Sequence, residues 1–244
     1  MAARPHFPEI RMTPCKRLAA VACAALLSIP FVASAAEAAE SPLSWELGAV
    51  SDYLFRGASQ TDEKATVQGS VTWTSPVGIY AGSFASGVDF GQDSPDVEVD
   101  YFVGYGFDVA KDVNIDVLLN RYTYPGASEM AYNELVTTTT VAENWKVNLS
   151  YTNDVWGSGT TGWYYGVGGE WGLPADFSLS ANVGRSVFND SAVAHDYTDW
   201  GVGIGRSFGI ANVSLGYYGV DGKGRDNFGQ LADSRVVLSV KIAH

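Results

Sequence analysis

The residues of this chain that could do chemistry are acids, spaced at even intervals within alternating segments. Glu46 and Asp52 share one phase with the counter-charge Arg56. The same polar phase holds Glu98, Asp100, Asp116, Glu134, Glu170 and Asp199, with Lys146 and Lys241 as further bases. Carboxylates repeated on one face of several strands cannot act as a nucleophile–base pair. They can build a field of one sign, which concentrates cations inside a low-dielectric wall. Asp52 and Arg56 lie ~13 Å apart if the strand is continuous, so each needs a cross-strand partner.

Those positions demand strands. From Val97, the residues Val97, Val99, Tyr101, Val103, Tyr105 and Phe107 alternate with Glu98, Asp100, Phe102, Gly104, Gly106 and Asp108. The pattern recurs from Trp145, from Phe177 and from Val236, the period of a strand with two unlike faces. About twelve such segments follow one another, joined by long and short connectors in strict turn. The long ones fall at 57–64, 91–96, 125–131, 157–162, 189–196 and 222–234, and the short ones at 75–78, 110–112, 143–144, 174–176 and 209–211. Long connectors on one side, tight turns on the other and an even strand count predict an all-β fold, a single antiparallel transmembrane β-barrel with both termini at the short-turn side. A soluble sandwich has no reason to keep its connectors in phase.

Three further features place the apolar phase in lipid. The strands run to the ~9–11 residues that cross a bilayer. Trp163 and Trp171 share one face, about 26 Å apart along the strand and so near the spacing of two aromatic girdles. The polar phase is small and acidic, which predicts a wet interior. After residue 36 no apolar run approaches the length of a spanning helix.

Residues 1–35 read as a cleaved secretory signal. Arg4, Arg11, Lys16 and Arg17 precede the apolar stretch Leu18–Val32, and Ala33-Ser34-Ala35 fits the small-residue cleavage pattern, with Ala36-Glu37-Ala38 close behind. Both cysteines, Cys15 and Cys23, lie there, so residues 36–244 have neither disulfides nor thiolate metal ligands. Losing four bases and one acid deepens the net charge from −12 to about −15. That acidity excludes a nucleic-acid partner, whose phosphates demand a basic face.

The segment Ser51-Asp52-Tyr53-Leu54-Phe55-Arg56-Gly57, followed by Ser59-Gln60-Thr61-Asp62, resembles the opening signature of the TorF family of proposed porins. Tyr80-Ala81-Gly82, Gly87-Val88-Asp89-Phe90 and Tyr122-Thr123-Tyr124-Pro125-Gly126 are similar to further blocks of that family. The resemblance implies a bacterial outer-membrane barrel of undefined cargo, and it supplies no catalytic residues.

The reading that follows is a porin-like channel for small solutes, cation-preferring, in a Gram-negative outer membrane. A non-conducting surface barrel is the alternative, with the acids in a salt-bridged plug. No cofactor and no metal are expected. The partners are outer-membrane lipid, lipopolysaccharide and the barrel assembly machinery. Arg121, Arg185 and Arg206 break the apolar phase near connectors, where long side chains snorkel. Arg121 and Arg185 fall at the long-loop rim and are the candidates for lipid phosphates. His244 stands where such barrels usually end in an aromatic residue.

Several apparent motifs carry little. Gly201, Gly203 and Gly205 alternate within a strand instead of opening a helix. Asp221–Asp226 has cations at calcium-ligand positions, while Asp93 and Asp96 are weak loop candidates for calcium. Ser191, His195 and Asp196 are the only triad-like group, and a loop holds such a constellation poorly.

Overall fold

A computed structural model describes residues 41–91 and 94–244. The signal sequence and Asp93 lie outside the described residues.

The strands are β1 (Leu43–Val50), β2 (Leu54–Phe55), β3 (Ala58–Ser59), β4 (Thr66–Thr74), β5 (Ile79–Gly87), β6 (Val97–Ala110), β7 (Val113–Thr123) and β8 (Tyr132–Val141). They continue with β9 (Trp145–Thr152), β10 (Gly162–Leu173), β11 (Phe177–Phe188), β12 (Tyr197–Phe208), β13 (Ala211–Val220) and β14 (Arg235–Ala243). A short helix, α1 (Gly222–Phe228), lies in the last loop. Twelve strands close into one antiparallel barrel in the order β1-β14-β13-β12-β11-β10-β9-β8-β7-β6-β5-β4, and β2 with β3 forms a separate hairpin. This is the barrel expected from the in-phase connectors.

Closure runs through β1 and β14, registered from Glu46 opposite Ala243 to Val50 opposite Ser239. His244 completes the seam. It exchanges both backbone hydrogen bonds with Trp45 at 3.0 Å, and its ring stacks on the Trp45 indole at 6.3 Å.

Turn chemistry separates the two ends. At the short end, the three-residue connectors 142–144 and 174–176 each hold a pair of positive-φ residues, Ala142–Glu143 and Ala175–Asp176, the left-handed backbone whose twist matches that of the flanking strands. The long connectors gather at the other end and pack on one another. Trp156, Phe188, Tyr197 and Phe228 meet there with ring centroids 5.4–6.3 Å apart.

The outer face is apolar along its height: Leu47, Val71, Val103, Leu119, Leu149, Val167, Val183, Ile204 and Leu238 are all exposed. Trp73, Trp145 and Trp171 band the short-turn end, and Tyr151, Trp163, Tyr165 and Trp200 the long-loop end. Exposed apolar surface on this scale is stable against hydrocarbon and not against water.

Candidate functional site in the barrel lumen

The inner face divides into two halves. Toward the short turns many inward positions are small or polar, among them Ser70, Thr138, Gly168, Ser178, Gly205 and Ser214, while Tyr80, Phe102, Leu118 and Val136 form a buried apolar cluster on the β5–β8 side. Glu46, Asp116 and Glu170 line this half and are part-exposed. Lys241 donates to Glu46 at 2.9 Å, and the Tyr80 hydroxyl donates to Asp116 at 2.8 Å.

Toward the long loops the lumen is filled, contrary to the expectation of a small, wet interior throughout. The filling comes from the first loop. β1 ends at Val50, where Ser51 donates its amide to the Leu238 carbonyl at 2.9 Å and its Oγ accepts from the Leu238 amide at 3.0 Å. The chain then turns inward. Asp52 and Arg56 are therefore not on the first strand, as alternation suggested, but in a hairpin inside the barrel. Arg56 and Gly57, at φ 48° and 81°, make the two-residue turn between Phe55 and Ala58. A Cβ on Gly57 would lie 2.5 Å from Val220 Cγ1 and 3.1 Å from Asp199 Cβ, so the hairpin tip rests against the wall formed by β12 and β13.

Three groups of polar contacts hold it. Asp52 accepts from Ser59 at 2.6 Å, Thr61 at 2.8 Å and Arg235 Nη1 at 2.6 Å. The Tyr53 hydroxyl donates to Glu98 at 2.8 Å, and Tyr124 donates to the other Glu98 oxygen at 2.7 Å. Arg56 Nη2 donates to Glu134 at 2.7 Å, while Tyr122 donates to the second oxygen of Glu134 at 3.2 Å. The Arg56 guanidinium lies 4.3 Å from the Tyr164 ring centroid and 4.6 Å from that of Phe55. Tyr164 in turn donates to Asp199 at 3.2 Å.

Asp52, Arg56, Glu98, Asp100, Glu134 and Asp199 thus converge in the filled half, all buried except the part-buried Arg56. Asp52 finds its partner on β14, beside β1 in the barrel, whereas Arg56 finds its own on β8, far around the wall. Asp100 Oδ2 accepts from Asn120 at 3.4 Å, and its Oδ1, like Asp199 Oδ2, is buried with no hydrogen-bond partner. A buried carboxyl oxygen without a donor is costly, so each is an unused acceptor within the filled half.

The sequence reading missed Arg235 and the tyrosines Tyr53, Tyr122, Tyr124, Tyr132 and Tyr164. Parity marks some of them. Arg235 continues the inward phase of Val237, Ser239 and Lys241, and Tyr122 continues that of Asp116, Leu118 and Asn120. Glycine made the rings hard to place inside: a Cβ on Gly184 would lie 1.9 Å from the Tyr164 hydroxyl, so Tyr164 lies flat on a bare strip of wall.

The rim arginines face outward and apart. Arg121 is bonded to Asn133 at 3.5 Å. Arg185 binds Thr198 at 3.1 Å and sits 3.7 Å from both Asp196 and Asp221. Arg206 lies 4.9 Å from the rings of Phe177 and Phe208. Asp221, in the supposed calcium-like loop, instead caps α1 by accepting from Gly224 at 3.0 Å. Asp196 accepts from the Phe188 amide at 2.9 Å, and among the described residues no hydrogen bond joins His195 to Ser191 or Asp196.

A family model described as a bacterial protein of unknown function, Gcw_chp, matches residues 34–243. The chain belongs to the Gcw_chp family. No curated protein matches this Gcw_chp chain in sequence. Solved structures do resemble its barrel. The KdgM porin aligns at TM-score 0.51 and 10% identity, over 82% of this chain and 98% of that one. The NanC porin aligns at TM-score 0.52 and 10% identity, over 82% and 97%. A KdgM porin in complex with disordered oligogalacturonate aligns at TM-score 0.52 and 9% identity, over 82% and 98%. At such identity the likeness is one of fold: this Gcw_chp chain is a porin-like barrel.

Proposed function

We propose that the barrel is a channel of the bacterial outer membrane through which small solutes diffuse passively, with a preference for cations. The observation that carries this reading is the inner charge balance. Glu46, Asp52, Glu98, Asp100, Asp116, Glu134, Glu170 and Asp199 face Arg56, Lys146, Arg235 and Lys241. A surplus of acids within low-dielectric walls raises the local concentration of cations. Screening at ~0.15 M salt leaves a reach of about 8 Å, still much of a narrow lumen. The apolar belt and its aromatic bands support insertion into a bilayer, and the TorF-like opening block, now the lumen hairpin, agrees with a porin-type role. At the rim Arg121 is the better candidate for lipopolysaccharide phosphates, because loop acids already occupy Arg185. The strand ending in His244 is the segment that the assembly machinery would read.

The filled half supports a second reading, a non-conducting surface barrel. Planar-bilayer recordings of refolded protein separate the two. Reversal potentials across a salt gradient should favour K⁺ over Cl⁻, and the pair Asp116→Asn with Glu170→Gln should erode that preference. Anion selectivity, or silence from folded protein, rejects the channel. A barrel hydrolase is tested by release of labelled fatty acid from phospholipid.

A further inference from the structure

The hairpin tip carries an unexpected residue. A two-residue turn with positive φ at both centres favours Asn, Asp or Gly, yet the first centre is Arg56. Backbone strain of this kind persists where surrounding contacts hold it, and it marks positions retained for what the side chain does.

What the side chain meets is a prepared box. Glu134 on β8 receives Nη2 at 2.7 Å, and Tyr122 orients that carboxylate through its other oxygen. Tyr164 on β10 offers its ring face at 4.3 Å, with its opposite side laid against Gly184. Asp199 on β12 is tied to the Tyr164 hydroxyl by one oxygen, while the other is buried and has no partner. An aromatic face beside an oriented carboxylate, with a second carboxylate in reserve, suits a planar delocalised cation. The barrel wall supplies all four residues. The hairpin supplies the occupant and the Phe55 ring 4.6 Å from its guanidinium, and the occupant's single positive charge is paired with Glu134.

We infer that this box is the recognition site of the channel for guanidinium-bearing solutes, with Arg56 as its resident stand-in. A solute displaces the Arg56 side chain and takes over its contacts with Tyr164 and Glu134. The inference rests on the channel reading for the solute's route, whereas recognition itself can be measured without conduction.

Arg56→Ala in the full, refolded chain empties the box and leaves its walls. Agmatine, a small guanidinium-bearing probe, should then raise the unfolding temperature and interrupt single-channel current. In the unmodified protein the same effects should need about tenfold more agmatine, because Arg56 competes for the site. Adding Glu134→Gln to Arg56→Ala should weaken the response about tenfold, through loss of a charged hydrogen-bond partner. Urea, planar but neutral, should not substitute. A thermal response without conductance in any variant supports the recognition site and rejects the channel. Cation-selective conductance with no agmatine response overturns the site and leaves the channel standing. Equal responses to urea and agmatine reduce the effect to cavity filling and overturn it too. If Arg56→Ala does not fold, Arg56→Lys keeps the charge but stacks less well, and must respond to less agmatine than the unmodified protein does. An unchanged response there overturns the inference.

Discussion

Asp52 and Arg235 stand 183 positions apart and meet at 2.6 Å, joining the segment after the first barrel strand to the start of the last. Arg235 spends its remaining donors nearby, on the Asp233 and Gln230 carbonyls and on Glu63. Since β1 and β14 also pair to close the barrel, this contact ties the lumen hairpin to the closing seam.

Arg235→Met leaves Asp52 buried with its charge opposed only by the Ser59 and Thr61 hydroxyls. The barrel should lose about 3 kcal/mol, the scale for breaking a buried pair from one side, and conductance should rise as the hairpin loosens. Asp52→Asn in the same chain should recover part of the stability. Urea unfolding and bilayer recordings read both effects, and an unchanged midpoint with unchanged current would refute the latch.

Gly184→Ala forces the Tyr164 ring off the wall, because the new methyl would lie 1.9 Å from its hydroxyl oxygen. Overpacking of this kind costs about 1–3 kcal/mol. Tyr164→Ala combined with Gly184→Ala should remove that cost, so a double-mutant cycle must show strong coupling. Simple additivity would mean that ring and glycine do not share the space.

The last loop should respond to acid through Asp221. Burial pushes its carboxyl upward, but the amides of Gly224, Thr198 and Lys223, with Arg185, outweigh that and hold it below its ordinary value. A depressed folded pKa stabilises above the unfolded value, roughly 3.9, and the contribution fades as pH falls through the folded one. Proteolysis within 222–234 should therefore accelerate below about pH 4. In Asp221→Asn it should be fast at every pH, and retention of the acid step in that variant would assign it elsewhere.

Single cysteines are clean reporters of topology, since both native cysteines are in the first 35 residues. In intact cells, labels should reach positions 62, 128 and 226 in the long loops and spare 76 and 176 in the short turns. Equal labelling at Pro76 would invert or abolish the proposed orientation.

Alternation and connector length were enough to determine the barrel. Side-chain direction in a strand is a local property with period two, and tight turns carry their own residue preferences, so strand count, faces and ends are written along the chain. Parity likewise puts Glu98, Asp100, Asp116, Glu134, Glu170 and Asp199 on the inner face. The fate of Ser51–Lys64 is not local. Asp52 and Arg56 keep the strand alternation of Glu46, but their partners, Arg235 and Glu134, lie on strands that only closure brings near. Whether Tyr164 could lie flat depended on Gly184, one strand away. The tertiary structure therefore decided that the long-loop half is filled by the chain's own arginine and tyrosines, because the charges and bare surfaces that draw them inward exist only once the barrel is closed.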